Sequence, residues 1–187
     1  LDREMRTYPV ERPAYRTLFY NILSGTEYQI DQQIDSFIVF KYDGDVKPPW
    51  PLSAQLGELF TLTGFDISAA PPEAAFGSMT DQLPPGSTIR LSLFWRVDQP
   101  SEHNYTVLVH AVDGDARLLA QHDSWPADAH RPTSVLPQGT TFRDVHYLTS
   151  PQSVSEDVVL HVGLYDGKGD RLLTQEDQEF VVLPLSN

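Results

Sequence analysis

Between Thr88 and Val97 apolar and polar residues alternate with a period of two, which places Ile89, Leu91, Leu93 and Trp95 on one face of a strand. Similar runs recur downstream: Tyr105 to Val112, Leu118 to His122, Thr140 to Leu148, Val158 to Tyr165, Arg171 to Gln175 and Glu179 to Leu183. Asp113-Gly114 and Pro137-Gln138-Gly139 supply turns between them. An earlier run, Leu59 to Ile67, carries Gly64 as an irregularity in an otherwise strand-like stretch. One pattern occurs twice. HAVDGDARLLAQHD at His110 to Asp123 and GLYDGKGDRLLTQED at Gly163 to Asp177 each combine a strand, an Asp-Gly turn and Arg-Leu-Leu. Two hairpins of one plan among roughly seven to nine short strands predict a mostly-β chain, an antiparallel sandwich of immunoglobulin-like or jelly-roll type.

The N-terminal part reads differently. Tyr15, Leu18, Phe19, Ile22 and Leu23 recur at helical spacing, with Pro13 at the start and Gly25 as a stop, which predicts a helix over about 14–24. Residues 34–42 read as one strand, and Asp43 to Pro51, with Pro48, Pro49 and Pro51 around Trp50, as an extended linker. The expected division is therefore a helix-containing extension over 1–51 and a sandwich domain over 52–187.

Composition narrows the partners. The 187 residues carry a formal net charge of −13. That argues against nucleic acid and against an anionic membrane surface, both of which need clustered Lys and Arg. There is no cysteine, hence no disulfide, zinc–thiolate site or thiol nucleophile. No run approaches the roughly 18–20 apolar residues that cross a bilayer, and no signal peptide is legible. The sequence begins at Leu1 and reads as a piece of a longer protein.

Candidate chemistry is sparse. His110, His122, His146 and His161 accompany Asp113, Asp123 and Asp144, yet no close His-x-His or His-x-x-x-His pair begins a metal site. Asp113-Gly-Asp115 and Asp166-Gly-Lys-Gly-Asp170 fit hairpin turns better than calcium loops. No Gly-x-Ser-x-Gly elbow or phosphate loop occurs, so no catalytic residue, metal or cofactor is assigned. Aromatic residues beside polar ones are the better ligand-binding candidates, because sugar rings stack on Trp and Tyr faces. Trp125, Asp123, His110, Asp144 and Tyr147 form that set, with Trp50 second among the tryptophans and Trp95 read as core. Asp123, Thr133, Ser134 and Asp144 also suit a structural role, tying the long 123–141 connection through backbone N–H groups.

The order Phe94-Trp95-Arg96, Tyr105 to Asp113, Gln121-His122-Asp123, Pro126, Pro132-Thr133-Ser134, Gly139, Asp144, Gly163 to Asp166 and Arg171-Leu172 carries a resemblance. It resembles the extracytoplasmic C-terminal β-sandwich of some bacterial multi-pass membrane glycosyltransferases of the mannosyltransferase-like class. Where that family has Trp-Pro-Gly, this chain has Val135 to Gly139. The resemblance implies a non-catalytic accessory domain, extracytoplasmic and tethered to the membrane in the full-length protein. It would contact the membrane-spanning part of its own parent chain, or a glycan or lipid-linked sugar. The alternative is an independent carbohydrate-binding or adhesion module; a hydrolase would need two carboxyls converging in a cleft.

Overall fold

The computed structural model describes residues 6–9, 28–34, 37–42, 47–70, 88–127, 129, 131–149 and 158–185. Its strands are β1 (Arg6–Pro9), β2 (Tyr28–Ile34), β3 (Phe37–Tyr42), β4 (Trp50–Leu56), β5 (Phe60–Ala70), β6 (Thr88–Val97), β7 (Thr106–Val112), β8 (Leu118–Gln121), β9 (Thr141–Thr149), β10 (Val159–Tyr165) and β11 (Val181–Pro184). They form a three-stranded sheet β1-β3-β2 and two four-stranded sheets, β4-β5-β6-β9 and β11-β10-β7-β8, all with antiparallel pairing.

The two larger sheets enclose one core. Ile89, Leu91, Leu93 and Trp95 of β6 lie in it as their alternation requires, with Leu62 and Phe65 of β5. Val107, Val109 and Ala111 of β7 meet them together with Leu160, Val162 and Leu164 of β10. The protein is thus an antiparallel β-sandwich, and the odd positions of β7 and even positions of β10 face inward. The remaining positions of those strands face out.

The N-terminal region departs from the sequence reading. Residues 34–42 are not one strand: Ile34 ends β2, Phe37 begins β3, and the two pair as a hairpin, with β1 on the other side of β3. Trp50 and Pro51, read as linker, already belong to β4 and pair with Phe65 and Gly64. The helix expected over 14–24 lies outside the described residues.

The repeated hairpins share a turn but not a second arm. Asp113 Oδ1 accepts the amides of Asp115 and Arg117 at 3.1 and 2.9 Å, and Asp166 Oδ1 accepts those of Lys168 and Asp170 at 2.8 and 3.0 Å. The left-handed residue is Ala116 (φ 60°) in one and Gly169 (φ 90°) in the other, not the glycine of Asp-Gly. This is a type I turn closed by a left-handed residue rather than the primed turn that the dipeptide suggested. Thr174 builds the same turn a third time, its Oγ1 accepting the amides of Glu176 and Gln178, with Asp177 at φ 57°.

After the first turn the chain returns as β8. After the second, Arg171 bridges to Tyr165 and the Leu172 amide reaches the Leu164 carbonyl, and then the chain leaves for the other sheet. Thr174 bridges to Leu56, and the Gly57 amide donates to the Leu173 carbonyl at 2.7 Å. Residues 171–174 therefore clasp β10 to β4, and β11 fills the rest of the β10 edge.

Candidate functional site

The outward face of the β8–β7–β10–β11 sheet concentrates polar and aromatic side chains. The register aligns Val182, His161, His110 and Gln121 in one row across all four strands. Tyr165 lies opposite Thr106 four residues further along. The chain beyond β8 keeps pairing with β7, Ser124 exchanging both backbone bonds with Val107 at 2.8 and 3.1 Å. Ser124 faces inward with Val107, so Asp123 and Trp125 on either side of it face outward.

Asp123 is the hub of this face. Its carboxylate lies 3.1 Å from His110 Nε2 and accepts the Val109 amide at 3.3 Å and the Tyr165 hydroxyl at 3.4 Å. The Val109 and Tyr165 contacts are long and individually weak. They orient the carboxylate while leaving lone pairs for hydroxyl donors from outside. Asp123 also holds the Tyr165 hydroxyl above its ordinary pKa, after burial, which is the larger cause. Trp125, 38% exposed, adjoins it.

At the other end of the row Phe180 stacks on His161, ring centroids 3.7 Å apart and 11° from parallel. The approach depends on Gly163, where a Cβ would stand 2.8 Å from the Glu179 carbonyl. Burial, and secondarily His110, push the His161 pKa below 6.5. Between that lowered value and 6.5 the unfolded chain binds a proton that the folded chain does not, so stability falls as pH drops through the interval. Urea denaturation at about pH 7 and about pH 5 should show this loss, and His161→Gln should reduce it; an unchanged slope in the variant would contradict it.

The structure brings Trp125, Asp123 and His110 onto this one face and places Asp144 and Tyr147 elsewhere. Asp144 is fully buried on the core side of β9. Its Oδ2 lies 2.7 Å from His146 Nε2, and its Oδ1 accepts the Ala127 amide at 2.8 Å. With both oxygens engaged inside the sandwich, Asp144 supports the 123–141 connection. Thr133 acts similarly, accepting the Tyr105 amide at 2.8 Å and donating to the His103 carbonyl. Tyr147 is half-buried on the outward side of the other sheet. Trp50, 41% exposed, lies on the β4 edge.

Sequence reasoning missed Thr106, Phe180 and Val182 as members of the face. Alternation along β7 and β10 marks Thr106 as outward, but nothing local foretells that the chain after Thr174 returns to lay Phe180 over His161. Among the described residues no three His, Asp or Glu side chains converge as metal ligands.

By fold this chain is an antiparallel β-sandwich with polar and aromatic side chains gathered on one outward sheet face. Among solved structures it is similar to the crystal structure of the C-terminal domain of Wzt, with a TM-score of 0.50 and 13% identity over 85% of this chain and 89% of that one. At that identity the likeness concerns the fold. No protein-family model matches the chain, and no curated protein does either.

Proposed function

We propose that the outward face of the β8–β7–β10–β11 sheet contacts glycan, and that the chain is a non-catalytic accessory domain of a larger protein. The observation that carries this reading is the grouping of Trp125, Asp123, His110 and Tyr165 on one exposed face. An aromatic surface suits the C–H face of a pyranose, and an oriented carboxylate accepts hydroxyl protons beside it. The chain as a whole is acidic, with a formal net charge of −13, and Asp123 stands beside Tyr165 on this face. Neutral sugars are favoured over uronic, sialic or phosphorylated ones on that ground. An extracytoplasmic location and a membrane glycosyltransferase-like parent, whose membrane-spanning part would be a second partner, rest on the sequence resemblance alone.

The test is binding of the full chain to immobilised oligosaccharides ending in neutral hexoses, N-acetylhexosamines or uronic acids. Retention of a neutral class is expected, with Trp125→Ala weakening it at least about tenfold, the equivalent of ~1.4 kcal/mol, and Asp123→Asn also weakening it. No retention of any class, or equal affinity in both variants, would overturn the reading.

A further inference from the structure

The outward face of the β4–β5–β6–β9 sheet lies on the far side of the sandwich from the proposed glycan face. Arg90 and Ser92 of β6 alternate with Ile89, Leu91 and Leu93 of the core, so both face outward there. Arg90 pairs across to Tyr147 of β9 and Ser92 to Val145, which sets Arg90, Ser92 and Tyr147 in two adjoining rows. Side chains directly opposed on paired strands start about 5 Å apart, and adjoining rows are roughly 7 Å apart. The three polar side chains can therefore converge on one small group.

Each of the three holds an atom that is shut off from solvent and has no hydrogen-bond partner: Arg90 Nε, Ser92 Oγ and the Tyr147 hydroxyl. Ser92 is only 1% exposed, although it points away from the core. Buried polar atoms are nearly always hydrogen-bonded, so three orphans on neighbouring positions call for a common partner. The guanidinium narrows the choice. Arginines drawn into a protein surface are normally paired. Arg96, on the same face of the same strand, is held by Asp98 at 2.7 Å. Among the described residues no carboxylate lies within ion-pairing distance of Arg90. Asp66 of β5 shares the face but stands opposite Ser92, on the diagonal from Arg90. Arg143, opposite Phe94 two rows away, has contacts of its own and takes no part.

We propose that Arg90, Ser92 and Tyr147 form an oxyanion site that takes a carboxylate or phosphate group. A planar guanidinium presents Nε–H and an Nη–H as a fork matching two oxygens of such a group. The Ser92 and Tyr147 hydroxyls can each donate to the same oxygens. Water or a neutral sugar would satisfy the hydroxyls but leave the arginine without a counter-charge. Arg90 and Tyr147 are only half-buried, so the group enters from the surface between them. The net charge of −13 disfavours anions at long range, so binding depends on these short contacts and its affinity is modest. The site stands whether or not the opposite sheet binds glycan.

Titrating the ¹⁵N-labelled full chain with inorganic phosphate, and separately with acetate, at constant ionic strength reads the site at the Arg90 Nε–H resonance. A saturable shift with at least one of them is expected, and which one responds separates phosphate esters from carboxylates as the group recognised. Arg90→Gln should weaken that binding at least about tenfold, followed on the Ser92 and Tyr147 backbone amides. Ser92→Ala and Tyr147→Phe should each weaken it less. The same anion should raise the Tm of the wild type and leave that of Arg90→Gln unmoved, since a ligand stabilises only the folded state that binds it. Unsaturated, linear shifts with both anions in the wild type would overturn the site, a measurement that needs no variant. Equal binding by Arg90→Gln would also overturn it. So would a stability loss in Arg90→Gln that is the same with and without anion, which would mark Arg90 as a purely structural residue.

Discussion

Asp144→Ala is expected to lower the unfolding free energy by about 3–5 kcal/mol, the usual cost of removing one partner from a fully buried charged pair. The substitution leaves His146 Nε2–H and the Ala127 amide without acceptors inside the sandwich, where neither meets water. The deleted carboxyl also leaves a small void against Leu93. Asp144→Asn should be far milder, about 1 kcal/mol. Its amide oxygen can still accept from Ala127, and its NH₂ can donate to His146 Nε2 once that ring adopts the other tautomer. Urea denaturation of the three proteins measures both effects. A loss under about 1 kcal/mol for the alanine variant would show that the bridge is dispensable.

Gly64→Ala is expected to cost about 1–3 kcal/mol, toward the upper end of that overpacking range. An added Cβ would stand 2.4 and 2.5 Å from two carbons of the Pro48 ring and 2.7 Å from the Trp50 carbonyl. Neither obstacle is a flexible side-chain tip, so relief requires moving the backbone that leads into β4. The pairings of Trp50 with Phe65 and of Pro51 with Gly64 should weaken, while β6, on the other side of β5, keeps its place. Urea denaturation gives the energy. The Trp50 indole resonance should shift in ¹H–¹⁵N spectra while that of the buried Trp95 stays put. Wild-type stability would contradict the close packing of Pro48 on this glycine.

The alternating runs made most of the sandwich legible, because a strand with one face in a core must repeat every second residue. Thr88 to Val97 is the clearest instance, and Gly64 announced its irregularity as a break in another such run. His110 and His161, at similar places on the two related strands, lie directly opposite each other. The second hairpin arm misled for a physical reason. Arg171-Leu172-Leu173 repeats the letters of Arg117-Leu118-Leu119, but strand propensity does not say which edge a strand will join, and Thr174 starts another turn at once. By pairing, Leu118 corresponds to Arg171, since Arg171 lies five positions after Asp166 whereas Arg117 lies four after Asp113. The candidate set was half legible. Asp123 and Trp125 share a face by simple parity, whereas Asp144 and His146 occupy inward positions between Phe142 and Leu148. Polar residues at such positions look exposed in a sequence, because their partners His122 and Ala127 arrive from the chain beyond β8.

The clasp at 171–174 has a mechanical corollary. In a sandwich held only by side-chain packing, one sheet can shear over the other by exchanging apolar neighbours at modest cost. Here a single short run is hydrogen-bonded to β10 at one end and to β4 at the other. Sliding must break backbone bonds, so the alignment of the two layers is locked by the chain itself.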